Sequence, residues 1–341
     1  MSNKTLLLTG GAGFIGHHTV EHILKNTDWN IVVLDGLNYA GNLNYINDIL
    51  IMKKEDFVKR VHIVFHDLKA SISDQILHNL EHYGKIDYVI HMAAESHVDN
   101  SIANPVPFVM SNVVGTMNML EAVKKMGTIQ KYIQISTDEV YGPSVAGHLH
   151  KEGEPHKPGN PYSASKAGAE DLAFAYYNTY GLPIIITNTM NNFGERQNPE
   201  KFVPKVMKAI LTGDPVIAHC KKVNGSVVDI SSRCWLHARN HSDALLFLLK
   251  NGTAGERYNV TGDLHNVVEM INFIGSFMGK NPGDYNIVYE DFHSFRKGHD
   301  MHYGLDGIKL ASMGWKPPVP FLESLQKMVQ WTIERKEWLG L

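Results

Sequence analysis

The segment TGGAGFIG, Thr9 to Gly16, follows the aliphatic run Thr5 to Leu8 directly and opens a stretch, Phe14 to Lys25, that reads as a helix. A strand running into a glycine-rich turn and then a helix constrains the fold more than any other feature, because it commits the chain to a β-turn-α unit. Gly10, Gly13 and Gly16 stand three apart. Glycine at these places lets backbone N–H groups approach a pyrophosphate at the helix N-terminus, where the helix dipole favours negative charge. Such a turn also serves plain strand-to-helix packing, so context has to decide. The next aliphatic run, Ile31 to Leu34, ends in Asp35, nineteen residues after Gly16. An acidic side chain there accepts hydrogen bonds from a ribose and repels a 2′-phosphate, so the expected dinucleotide is NAD rather than NADP.

Four further runs, His62 to Phe65, Tyr88 to His91, Tyr132 to Ile135 and Ile184 to Thr187, alternate with segments that include the helical-period stretches Asn112 to Met126 and Tyr162 to Tyr180. That alternation predicts an α/β chain with a Rossmann-type, doubly wound parallel sheet. Beyond Pro183 the pattern turns irregular until Leu322, Leu325, Met328, Val329 and Ile333 recur at helical spacing. A length of 341 residues leaves room for two lobes. The expected division is 1–187 plus about 233–262 for the dinucleotide domain, with 188–232 and 263–341 forming a smaller mixed substrate lobe.

A net charge of -3 with 20% charged residues gives no reason to expect nucleic acid or a membrane as partner. No apolar run approaches the ~20 residues of a bilayer span. The opening MSNKTLLLTGG enters the glycine motif at once, so no signal peptide and a cytoplasmic location are expected. Cys220 and Cys234, the two cysteines, fit reduced thiols better than a disulfide framework. None of the 19 histidines sits with Cys, Asp or Glu at a familiar zinc or iron spacing, and no metal is expected.

Two motifs carry acid–base chemistry. In PYSASK, Tyr162 precedes Lys166 by four residues, one helical turn along the same face. An ammonium near a phenol is expected to lower its pKa from about 10 and make it a usable base. In STDEVYG, Thr137, Asp138 and Glu139 are consecutive at the C-terminal end of a strand, where open α/β sheets place their ligands. Two adjacent carboxyl groups can be a solvated acidic turn, but here they accompany the tyrosine and lysine.

The spacing of the glycines resembles that of the short-chain dehydrogenase/reductase superfamily. With DGLNYAGNL from Asp35 to Leu43, AAESHVDNSI, TDEVYG, YSASK and NPEKFVPK from Asn198 to Lys205, the chain resembles the dTDP-glucose 4,6-dehydratase family over nearly its whole length. The resemblance implies that Gly10, Gly13, Phe14, Ile15, Gly16, Asp35, Asn38, Asp67, Leu68, Ala93, Ala94, Glu95, Asn112, Tyr162 and Lys166 serve NAD. Asp67 would face the adenine, Met92 to Asp99 the nicotinamide side, and Asn112 would support the helix near the catalytic centre. It further implies that Ser96, His97, Thr137, Asn191, Asn192, Lys201, Phe202, Arg233, Asn266, Arg296 and His299 meet a nucleotide-diphosphate sugar. In the implied reaction Tyr162 takes the 4-hydroxyl proton, Glu139 takes the C5 proton, and a protonated Asp138 donates to the departing 6-hydroxyl. A homodimer through the helices Asn112 to Met126 and Tyr162 to Tyr180 is implied as well.

Three departures from the family pattern cluster at the nucleotide end: a longer VIAHCKKVNGSVVDISS between Pro215 and Arg233, Cys234 in place of an aspartate, and Met301–His302 in place of basic residues. They leave the base open, with dTDP favoured and UDP possible. Another retained-NAD sugar-nucleotide enzyme, a 5,6-dehydratase or a 4-epimerase, and a catalytically silent NAD-binding scaffold are the alternatives.

Overall fold

The computed structural model describes residues 4–38, 40–52, 55–144, 148–291 and 301–341. Seven parallel strands form the main sheet: β1 (Thr5–Thr9), β2 (Asn30–Asp35), β3 (Val61–Phe65), β4 (Tyr88–His91), β5 (Lys131–Thr137), β6 (Ile184–Thr189) and β11 (Arg257–Val260). Their spatial order is β11-β6-β5-β4-β1-β2-β3. The order reverses between β1 and β4, and a crevice opens beyond the strand C-termini at such a switch point. β1 and β2 are buried on both faces, which is why they read as unbroken aliphatic runs. Leu6, Leu8, Ile31 and Val33 pack with Val20, Ile23, Leu245 and Leu249 of helices Phe14–Asn26 and Ala238–Asn251. Leu7 and Val32, on the opposite face, join Leu120, Val123 and Ala173 of helices Gly115–Met126 and Pro161–Tyr180.

Two three-stranded sheets build the remainder, ordered β12-β10-β7 and β13-β8-β9. Their strands are β7 (Asn191–Phe193), β8 (Val216–Val223), β9 (Ser226–Ile230), β10 (Ser232–His237), β12 (Asp263–Asn266) and β13 (Ile287–Asp291). Phe193, Met207, Trp235, Ile271, Phe321 and Leu325 form a separate core beneath them. The stretch after Pro215 is a hairpin of β8 and β9 whose two-residue connection is Asn224–Gly225. Both connecting residues have positive φ, 51° and 81°, as a type I′ turn requires. The helix expected from Asn112 begins differently: a π-helical turn, Val109–Val114, precedes Gly115–Met126. Leu322, expected on the apolar face of the last helix, Phe321–Ile333, is 46% exposed, while Phe321 takes the buried place. Among the described residues no helix is long and apolar enough to cross a membrane. Cys220 and Cys234 are both free and buried.

Candidate active site

A cleft of about 470 Å³ lies at the ends of these strands. Gly10, Gly13, Phe14, Ile15, Gly16, Asp35, Asn38, Asp67, Leu68, Ala93, Ala94 and Glu95 line it, together with Ser96, Thr137, Asp138, Glu139, Tyr162, Lys166, Asn191, Asn192, Lys201 and Phe202. The glycine turn is shaped by contact. Gly10 has φ +73°, and a Cβ there would stand 2.9 Å from the Ala93 backbone; one on Gly16 would meet the Gly10 carbonyl at 2.1 Å. Gly13 N-caps helix Phe14–Asn26 in extended conformation with no side-chain cap and no acidic residue in the first turn. The helix therefore offers its first N–H groups and its positive dipole end to whatever occupies the cleft. Asp35 is held at the cleft wall by two backbone donors, Ala12 N to Oδ2 at 2.9 Å and Leu37 N to Oδ1 at 2.8 Å. Between β1 and β4, Thr9 Oγ1 accepts from Met92 N and Ala93 N at 3.0 and 3.1 Å, which pins the loop after β4.

The acid–base groups sit where β5 ends. Thr137 Oγ1 donates to Asp138 Oδ1 at 2.9 Å and accepts from Glu139 N at 3.4 Å, capping the 3-10 turn Asp138–Tyr141. Burial pushes Asp138 up to about 6, against the opposing pull of the Thr137 hydrogen bond and Arg233. Glu139 Oε2 accepts from Asn160 Nδ2 at 3.1 Å. Asn160 also caps helix Pro161–Tyr180 in a reciprocal box with Ser163, so one residue ties the carboxylate to the tyrosine's helix.

Lys166 follows Tyr162 by one turn on helix Pro161–Tyr180. Its Nζ donates to the Ile135 carbonyl at 2.7 Å, and burial brings its pKa down to about 8. Burial and the Glu139 carboxylate hold the Tyr162 phenol well above its ordinary range, partly opposed by a hydrogen bond with Thr137. Desolvation is the largest of these effects.

Four expected residues among those described are not on the cleft wall. Asn112 lies behind it, fully paired: its amide spans Glu95 N and O at 2.8 and 3.0 Å and reaches Ser165 Oγ at 2.8 Å, linking the loop after β4 to the Tyr162 helix. His97 N-caps Val98–Ala103 and faces Glu200 at 3.8 Å. Arg233 donates to the Ser232 and Met301 carbonyls, both at 2.7 Å, and covers the Tyr303 ring at 4.4 Å. Asn266 is spent as the N-cap of Val267–Phe277. These last two are backbone-holding groups here, which their motifs alone do not distinguish from phosphate ligands. Arg296 and His299 lie outside the described residues. Of the departures, His302 bridges Asp229 and Ser232, each at 2.8 Å, and so locks the β8–β9 hairpin to β10.

The cleft also holds residues that the motifs did not mark, among them Tyr45, Lys69 and Gln197. Lys69 pairs with Asp67 at 3.2 Å, and its spacing of two was the available signal. Asn192 Oδ1 and Gln197 Oε1 are buried oxygens with no donor among the described residues.

Comparison with known proteins accords with this geometry. The family model for GDP-mannose 4,6 dehydratase matches residues 7–328. A dTDP-glucose 4,6-dehydratase of Salmonella typhimurium is 36% identical over 98% of this chain and 94% of its own. A trifunctional UDP-glucose 4,6-dehydratase/3,5-epimerase/reductase of Arabidopsis thaliana is also 36% identical, over 99% of this chain and 48% of its own. The crystal structure of the Bacillus anthracis dTDP-glucose 4,6-dehydratase in complex with NAD superposes with a TM-score of 0.83 at 33% identity, over 99% of each chain. With the doubly wound sheet, the glycine turn and the Thr-Asp-Glu and Tyr-x-x-x-Lys groups all present in one cleft, this chain belongs to the GDP-mannose 4,6-dehydratase family of extended short-chain dehydrogenases.

Proposed function

We propose that the protein is an NAD-dependent NDP-glucose 4,6-dehydratase, with dTDP-glucose the favoured substrate and UDP-glucose the alternative. The observation that carries this is the carboxyl pair: buried Asp138, its proton affinity raised to about 6, next to Glu139 on the turn that faces Tyr162. A 4-epimerase needs no such pair, because it never breaks the C6–O bond.

The uncapped helix end at Gly13 suits a pyrophosphate, and the Asp35 carboxylate suits a ribose diol. Asp67 and Leu68 would border the adenine, and Ala93 to Glu95 the nicotinamide. NAD, when bound, supplies the acceptor that takes hydride from C4 and gives it back at C6, and brings a positive charge that favours the phenolate. Thr137 then holds the sugar 4-oxygen while Tyr162 takes its proton. The ketone acidifies C5–H, and Glu139 removes that proton. Asp138 donates to O6, water leaves, and the proton on Glu139 returns to C5, giving the 4-keto-6-deoxy sugar. Lys201, drawn down by burial and held up by Glu200, is a cleft cation suited to the diphosphate. The lobe of 188–232 and 263–341 would carry the nucleotide. Exposed Met117, Phe174 and Tyr180, with Val109 and Met110 just before, support a homodimer through the helices Asn112 to Met126 and Tyr162 to Tyr180.

Incubation with dTDP-, UDP-, GDP- and CDP-glucose, followed by the near-ultraviolet absorbance that 4-keto sugars develop in alkali, tests the reading. Keto product is expected with dTDP- or UDP-glucose. No keto product from any of the four would refute it.

A further inference from the structure

Outside the cleft, the loop joining the Asp138–Tyr141 turn to helix Pro161–Tyr180 gathers three donors whose linear spacing gave no metal signal. His148, His150 and Glu154 each offer one ligand atom, and these atoms lie within 4.8 Å of one another. Glu154 Oε2 stands 2.7 Å from His150 Nδ1 and 3.4 Å from His148 Nε2. The two imidazole rings are 4.8 Å apart and nearly perpendicular at 87°, so their nitrogens converge on the carboxylate rather than stack away from it.

The fold, not a ligand, sets this arrangement. His150 N donates to Gly304 O, and His150 O accepts from Asp306 N and Asn259 Nδ2, each at 2.9 Å. Lys151 N holds Glu154 Oε1 at 2.8 Å, which leaves Oε2 to face the histidines. His150 is buried and packs on Tyr141 with ring centroids 5.4 Å apart, whereas His148 stands 45% exposed and gives solvent a way in.

We propose that His148, His150 and Glu154 form a site for a borderline divalent cation of the zinc class, with water completing the coordination. Two imidazoles and a carboxylate are a donor set that zinc takes with an open position. None of the three residues lines the cleft, so the cation stands apart from the proton chemistry. Its role is to brace the loop between Glu139 and Tyr162 through the His150–Tyr141 contact. Without metal, the same groups are a carboxylate accepting from two imidazoles.

The test uses tag-free, chelator-stripped protein titrated with Zn²⁺ against a chromophoric chelator. About one Zn²⁺ per chain is expected, and His148→Ala, at an exposed position that leaves the core untouched, should weaken binding by more than about tenfold. Zn²⁺ should raise the melting temperature of the parent protein and not that of the variant. A parent protein that takes up no Zn²⁺ at about 100 μM, or His148→Ala binding as tightly as the parent, would overturn the proposal.

Discussion

Asp138 and Glu139 are neighbours in sequence with unlike surroundings. Asp138 is buried and accepts a hydrogen bond from Thr137, while Glu139 is half-buried and accepts from Asn160. Placing two carboxyl groups in such different environments separates their proton affinities, which is what an acid and a base working in one cleft require. Glu139→Gln keeps the oxygen that Asn160 donates to, so the variant should fold and bind. Tyr162 still serves the oxidation at C4, yet nothing removes the C5 proton. The expected outcome is accumulation of reduced nicotinamide, seen in the near ultraviolet, with keto-deoxy product lowered by about 10²- to 10⁴-fold. Full turnover by this variant would contradict the assignment. At this scale the motifs showed which side chains would meet, but not the Tyr162 phenol's raised pKa: that depends on its burial first and on the Glu139 carboxylate second, and burial is set by the tertiary packing.

Among the elements, the aliphatic runs of the main sheet were readable because strands buried on both faces carry no competing pattern; the observed β1, β2, β5 and β6 exceed the expected runs by only one or two residues at an end. The second lobe was not read as strands, although Asn224–Gly225 between β-branched residues is a strong hairpin signal. Half-exposed β8 and β9 lack the continuous apolar runs of the main sheet. The His148–Glu154 group was illegible for a related reason, since backbone bonds to 304 and 306 fold that loop. Likewise, the π-turn Val109–Val114 tucks Asn112 inward while Met110 points outward, 37% exposed, in line with Val106 and Met117. Exposed apolar residues gathered on successive segments suit a covering partner. Met110→Glu should therefore shift sedimentation from dimer toward monomer without unfolding, because the position is already at the surface. A parent protein that sediments as a monomer at micromolar concentration would remove the dimer proposal.

The molecule as a whole hides several histidines in neutral form. Burial pulls His91 down to about 3 and His18 and His241 to about 4. A chain that unfolds returns them to the ordinary value near 6.5, so between pH 6.5 and 4 the unfolded state binds more protons than the native state. Stability is then lost as pH falls through that window, by up to about 1.4 kcal/mol per pH unit for each such histidine. Glu195, held well below its usual range by its hydrogen bond with His237 despite its burial, adds to the loss only below the ordinary carboxylate range near 4.5. His241 isolates the histidine contribution. Neither ring nitrogen has a partner among the described residues, and the side chain is fully buried in helix Ala238–Asn251 beside the apolar core. His241→Leu removes one buried imidazole and its proton uptake together. Urea unfolding from pH 7.5 to 4.5 should show the variant gaining on the parent progressively below pH 6.5, with a slope shallower by about one proton. Parallel curves for the two proteins would mean that His241 does not titrate on unfolding and that acid sensitivity arises from the carboxylates alone.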